Sequence, residues 1–156
     1  MKKYLSFGRS MILAAMLLTV ATTVNAQDAE TTMQDIYEQG LGMVKYLEEE
    51  ANQEIVRIEY DLVFDSKETI RNLSSSYTYT VVAFADDRVE DLDITIYKKS
   101  GSSWTQVTKD TETDNTPVVQ ITPKEAGEYK VKITAYKFAE GYSGAHYGMI
   151  ISHENP

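Results

Sequence analysis

The sequence predicts a mainly β fold: an antiparallel β-sandwich of jelly-roll or Greek-key type, with about eight strands and an N-terminal amphipathic helix. Three observations carry this reading. From Glu54 onward apolar and polar residues alternate with a period of two, in runs separated by Gly, Pro, Ser and Asp clusters, which is the pattern of strands and turns. Those runs do not alternate with helical segments, which argues against a parallel sheet. The third is Tyr77–Lys99, which reads as two strands around an acidic turn.

The first 26 residues have the layout of an export signal. Lys2, Lys3 and Arg9 make a basic start, Met11–Val20 is apolar, and Val24-Asn25-Ala26 is a small-residue cleavage site, with cutting expected after Ala26. The apolar run falls well short of the roughly 20 residues that span a bilayer, so no membrane span is expected after cleavage. With no Cys, the chain has no residue for lipoprotein acylation and no disulfide. These features suit bacterial export to the periplasm or the outside of the cell.

Residues 27–53 read as the helical segment. Met33, Ile36, Tyr37, Leu41, Val44 and Leu47 recur at helical spacing and are expected to form one buried stripe. Thr31 with Gln34 fits a capping box, and Gly40-Leu41-Gly42 marks a kink or split. Glu48-Glu49-Glu50 places negative charge at the helix C-terminus, where the dipole disfavours it, so fraying near Asn52 is expected.

The sandwich is expected over residues 54–156. Val56, Ile58, Tyr60, Leu62 and Phe64 form the buried side of a long first strand, and Glu68–Leu73 a second. In the central stretch Tyr77, Tyr79, Val81 and Ala83 alternate with Thr78, Thr80, Val82 and Phe84, so both faces are covered. Ala85–Glu90 is then expected to turn in solvent, before Leu92, Ile94 and Ile96 return to the core with Asp91, Asp93 and Thr95 on the wet face. Ser100–Ser103, Asp110–Thr116, Thr122–Gly127 and Lys137–Gly144 separate the remaining strands. Tyr129, Val131, Ile133 and Ala135 point inward on the seventh, and Tyr147, Met149 and Ile151 on the eighth.

The chain has 15 Lys+Arg against 24 Asp+Glu; cleavage would remove three bases and no acid, leaving 12 against 24, a net charge of −12. That field disfavours nucleic acid as a partner and favours divalent cations.

The runs Tyr77-Thr78-Tyr79, Asp91-Leu92-Asp93-Ile94, Asp110–Pro117 and Gly127-Glu128-Tyr129 resemble the bacterial pre-peptidase C-terminal domains across roughly residues 54–152. Those are β-sandwich modules often appended to secreted peptidases. Here a helix stands where those proteins carry a peptidase. The resemblance therefore implies the fold, and Ca²⁺ near the acidic loops, more than an activity.

The candidate metal ligands are Asp91, Asp93 and Asp114, oxygen donors of the kind Ca²⁺ takes six to eight of; the alternative is a solvated acidic edge. No cofactor is required by any motif. His146 and His153 are spaced unlike zinc ligands. Gly141-Tyr142-Ser143-Gly144 departs from a nucleophile elbow in spacing and is followed by a strand. Tyr97 and Tyr136 fall on the wet side of their strands and are the candidate ligand-binding rings. The expectation is an exported, non-catalytic binding or structural protein, its partner another protein or a polysaccharide. The alternatives are a carbohydrate-binding accessory module and a small hydrolase using acidic residues.

Overall fold

The computed structural model describes residues 32–110 and 112–154. The expected export signal and its expected cleavage point lie outside them, as do residues 27–31 of the segment read as helical.

Among the described residues eight antiparallel strands follow one helix. The strands are β1 (Gln53–Val63), β2 (Ser66–Leu73), β3 (Tyr79–Ala85), β4 (Val89–Ser100), β5 (Ser103–Lys109), β6 (Val118–Ile121), β7 (Gly127–Phe138) and β8 (Ala145–Glu154). They form two four-stranded sheets, ordered β1-β8-β3-β6 and β2-β7-β4-β5. The first strand pairs with the last, the second with the seventh, the third with the sixth and the fourth with the fifth. This is one long hairpin rolled up on itself, the connectivity of a jelly roll. The core lies between the sheets, where Val81, Leu92, Ile94, Ile96, Val131, Ile133, Tyr147, Met149 and Ile151 pack together.

The helix, α1 (Met33–Lys45), lies on the outer face of the first sheet. It starts at Thr32 and not at Thr31: the Thr32 hydroxyl accepts from the Asp35 amide, and Asp35 accepts from the Thr32 amide at 2.7 Å. Asp35 takes the place expected of Gln34 because the cap sits one residue later, which makes Asp35 the third residue after it. That same amide bond holds the Asp35 carboxyl below its ordinary range.

The expected kink is absent. α1 runs unbroken through Gly40 and Gly42, and the end of the helix widens instead into a π-helical turn, Tyr46–Glu50. Gly40 is where helix and sheet meet most closely: a Cβ there would stand 2.2 Å from Tyr60 Oη and 3.0 Å from Phe84 Cζ. The stripe is also rotated from its expected position. Ile36, Gly40 and Leu47 are buried, with Met43 and Val44 partly so, against Val82, Phe84, Ile150, Ile55 and Tyr60. Tyr37 and Leu41 remain about half exposed. Helix coverage explains why all seven residues of β3 are buried, on both faces.

β1 departs most from the sequence reading. A bulge at Val56 breaks the alternation, and beyond it the apolar side faces outward toward α1, not into the sandwich. Ile55 and Tyr60 reach the helix, Ile58 and Phe64 stay exposed, and Val56 turns to the flank. The opposite side carries charge to the edge of the sandwich. There Glu59 accepts from Arg57 Nε at 2.8 Å, Thr69 Oγ1 at 2.9 Å and Tyr147 Oη at 3.2 Å, and Asp61 pairs with Lys67 at 2.5 Å. An edge strand of a sandwich can hold charges on its inward side because water reaches them from the flank. Tyr147 is fully buried, and burial followed by the Glu59 carboxylate pushes its hydroxyl well above the ordinary range.

Candidate binding surfaces

Asp91 and Asp93 sit on β4 beside a double irregularity in its pairing with β7, opposite Lys137 and Thr134. Burial pushes the Asp93 carboxyl up, reinforced by the charges of Asp91 and Asp110 against the opposing Lys109. Asp91 Oδ1 is buried and takes no hydrogen bond. Asp114 is used differently. Its Oδ1 accepts from the Thr116 amide at 2.7 Å, and its carbonyl accepts from the Leu92 amide at 2.8 Å, stitching the β5–β6 loop to β4. Asp110 likewise accepts from the amides of Glu112 and Val118. Among the described residues no group of three or more His, Cys, Asp or Glu side chains converges as a metal-ligand set. The acid that bears on the Asp91–Asp93 pair is therefore Asp110. Its position at the end of β5, beside Lys109, is the signal the sequence offered for it.

Tyr97 and Tyr136 lie on the outer face of β2-β7-β4-β5, at different places. Tyr97 stands in a cross-strand row with Ile70, Lys130 and Gln106. Lys130 Nζ lies 5.0 Å from the Tyr97 ring centre and 5.1 Å from that of Trp104, within cation–π reach of both, and is paired with Glu68 at 3.0 Å. Lys99 Nζ approaches the Trp104 ring from 5.9 Å. Tyr136 is 75 % exposed. It lies six residues further along β7 than Lys130, about 20 Å at strand rise, so the two tyrosines do not share a site. The ring that accompanies Tyr97 is Trp104, and pairing across β4 and β5 brings them together.

The β3–β4 turn is tighter and drier than its acidic sequence suggests. Asp86 is 3 % exposed rather than in solvent. Its carboxylate accepts from Arg88 Nε at 2.9 Å, the Arg88 amide at 3.0 Å and the His146 amide at 2.9 Å, and Arg88 Nη2 lies 2.8 Å from His146 Nδ1. Burial alone would push Asp86 up; these donors outweigh it and hold the carboxyl below its ordinary range. A charge this buried is tolerated because it is paired and fully hydrogen-bonded. His146 and His153 begin and nearly end β8, far from a shared metal.

Two clefts open on the flanks, each between edge strands of the two sheets. Between β5 and β6 a cavity of about 380 Å³ is lined by Val107, Ile121, Pro123 and Tyr129. Lys98 is satisfied there: its Nζ lies 4.7 Å from the Tyr129 ring centre and donates to the carbonyls of Glu125 and Ala126. Between β1 and β2 a cavity of about 450 Å³ is lined by Arg71, Asn72, Tyr77, Tyr79 and His153. The rings of Tyr77 and His153 stack there, with centres 4.3 Å apart.

These features define a jelly-roll β-sandwich with one sheet capped by a helix, the other sheet's outer face bare among the described residues, and a polar cleft on its flank. The sequence matches no family model and no curated protein. Among the described residues no helix is long and apolar enough to cross a membrane.

Proposed function

We propose that this chain is an exported, non-catalytic binding protein, a jelly roll akin to the pre-peptidase C-terminal domains, that works in the periplasm or outside the cell. The observation that carries this reading is the difference between its two outer faces. α1 covers one sheet, while the other presents the row Ile70–Lys130–Tyr97–Gln106 with Trp104 beside it. Its lysines are held over ring faces, which fixes a flat, rigid surface at small entropic cost to a ligand.

A polysaccharide suits that surface better than a folded protein. Rings offer stacking area to sugar C–H faces, and Gln106 and Lys99 flank them with hydrogen-bonding groups. The test is affinity electrophoresis in gels containing soluble polysaccharides, with reducing ends assayed afterwards. Retardation that is lost in Trp104→Ala and Tyr97→Ala, with no new reducing ends, is the expected result. Retardation unchanged by both substitutions would overturn the sheet face as the site. Release of reducing ends would overturn the non-catalytic reading and favour the acidic hydrolase.

A further inference from the structure

The two flank clefts differ in one respect that decides between them. Each holds an inward-drawn cationic side chain beside a tyrosine ring. In the β5–β6 cleft it is Lys98, which is fully engaged by two carbonyls and the Tyr129 ring, while Lys124 on the rim is exposed to solvent. In the β1–β2 cleft the inward cation is Arg71. The other bases on this flank are paired, Arg57 with Glu59 and Lys67 with Asp61. Arg71 takes no such ion pair or hydrogen bond among the described residues. Yet its strand position turns it inward: it stands opposite buried Tyr129, in register with Thr69 and Leu73 on the interior side of β2. A half-buried guanidinium with five donors and no acceptor is an incomplete arrangement.

We propose that the β1–β2 cleft is a binding site for a carboxylated sugar unit, with Arg71 as the carboxylate receptor. The guanidinium fork matches a carboxylate with two parallel hydrogen bonds. The stacked Tyr77 and His153 rings, with Tyr79 at their edge, make a wall for a sugar ring. Asn72 supplies an amide for hydroxyls. His153 is held in place by its own contact to the Glu154 carbonyl, 2.9 Å from Nδ1, and has Glu54 3.9 Å from Nε2. A cavity of about 450 Å³ is at the small end of ligand pockets and accommodates one or two sugar units. The largely exposed Glu54 carboxylate beside His153 opposes an anion at the mouth of the cleft. The more distant acidic charge of the chain is screened beyond about 8 Å at physiological salt, and within the cleft the nearest charge to a ligand is the Arg71 guanidinium. This site lies on the flank, meets the Tyr97–Trp104 surface only at Ile70, and uses neither of those rings.

The experiment is an NMR titration of the full mature chain with glucuronate, with glucose and acetate as the two controls. Glucuronate is expected to move the Arg71 Nε–H and Tyr77 ring signals in a saturable way, and each control to bind at least ~10-fold more weakly. Arg71→Gln is expected to weaken glucuronate by ~10-fold or more, whereas Trp104→Ala leaves it unchanged. Should Arg71→Gln not fold, Tyr77→Leu serves in its place, with the same loss of ring-dependent affinity expected. Acetate binding as well as glucuronate would reduce the cleft to a simple anion hole and overturn the sugar assignment. Absence of any Arg71 shift with glucuronate would overturn the site altogether.

Discussion

Gly40 of α1 meets Tyr60 of β1 so closely that a Cβ on the glycine would stand 2.2 Å from Tyr60 Oη. Two residues on, Gly42 has nothing within 4 Å of the same added atom. The two glycines carry the same helix propensity and opposite packing. Gly42→Ala is expected to stabilise the protein by up to about 1 kcal/mol. Gly40→Ala is expected to destabilise it by about 1–3 kcal/mol, because Phe84 lies behind Tyr60 and limits its retreat. The double variant Gly40→Ala/Tyr60→Phe should recover part of that loss. Urea denaturation of the three variants checks all of this, and equal effects at both glycines would show that the helix does not dock as described.

Asp86 makes stability fall in acid. Its folded carboxyl titrates below the unfolded value, so its contribution is present above the unfolded pKa of about 3.9 and is lost as pH falls through the folded one. Asp86→Asn keeps the shape and loses the charge. It is expected to cost about 2 kcal/mol at pH 7 and to flatten the stability profile below pH 4. Melting curves from pH 2 to 7, wild type against variant, measure both; parallel profiles would contradict the assignment.

Asp93 acts with the opposite sign. Its carboxyl titrates above the ordinary range, so its charged form strains the fold above that raised value, and protonation relieves the strain as pH falls through it. Asp93→Asn is therefore expected to stabilise the protein at neutral pH, by about 0.5 kcal/mol for so accessible a charge.

The same pair bears on calcium. A rise in melting temperature in millimolar Ca²⁺ over EDTA, abolished by Asp91→Asn, would give the orphaned Asp91 Oδ1 its partner. With Asp114 committed to Thr116 and Leu92, the expected outcome is a shift of less than about 2 °C, the result of a repulsive pair without a third ligand.

Tyr147→Phe isolates one bond of the flank network. Glu59 keeps Arg57 and Thr69 as donors when the Tyr147 hydroxyl goes. The loss should be about 1 kcal/mol by calorimetry, well below that of removing Glu59 itself.

The strands were legible because alternation is a local property. Tyr129, Val131, Ile133 and Ala135 on β7, and Tyr147, Met149 and Ile151 on β8, point inward as their spacing requires. The face of β1 was not legible. Its apolar residues alternate in sequence as those of β7 do, and only the bulge at Val56 and the placing of α1 decide which of them look outward. The Asp86 turn shows the same limit. A run of charge reads as solvent, but its acceptor capacity is met by donors at Arg88 and at His146, 60 residues away. The outward placing of Tyr97 was legible from strand parity. Its companion Trp104 depended on the β4–β5 register, and the Arg71 cleft on two sheets meeting at a flank, neither of which any single segment encodes.

β8 is the last strand in sequence among the described residues and the second in its sheet, lying between β1 and β3. Neither neighbour has a partner on that side until β8 arrives. The chain thus cannot lay down its helix-capped sheet progressively from the N-terminus; α1 has no finished surface to sit on before Ile150 is in place. Assembly of this sheet waits for β8 and then closes pairings far apart in sequence, a slow topology of high contact order. Deleting β8 would leave β1 cut off from the β3–β6 pair and an undocked helix rather than a slightly smaller sandwich.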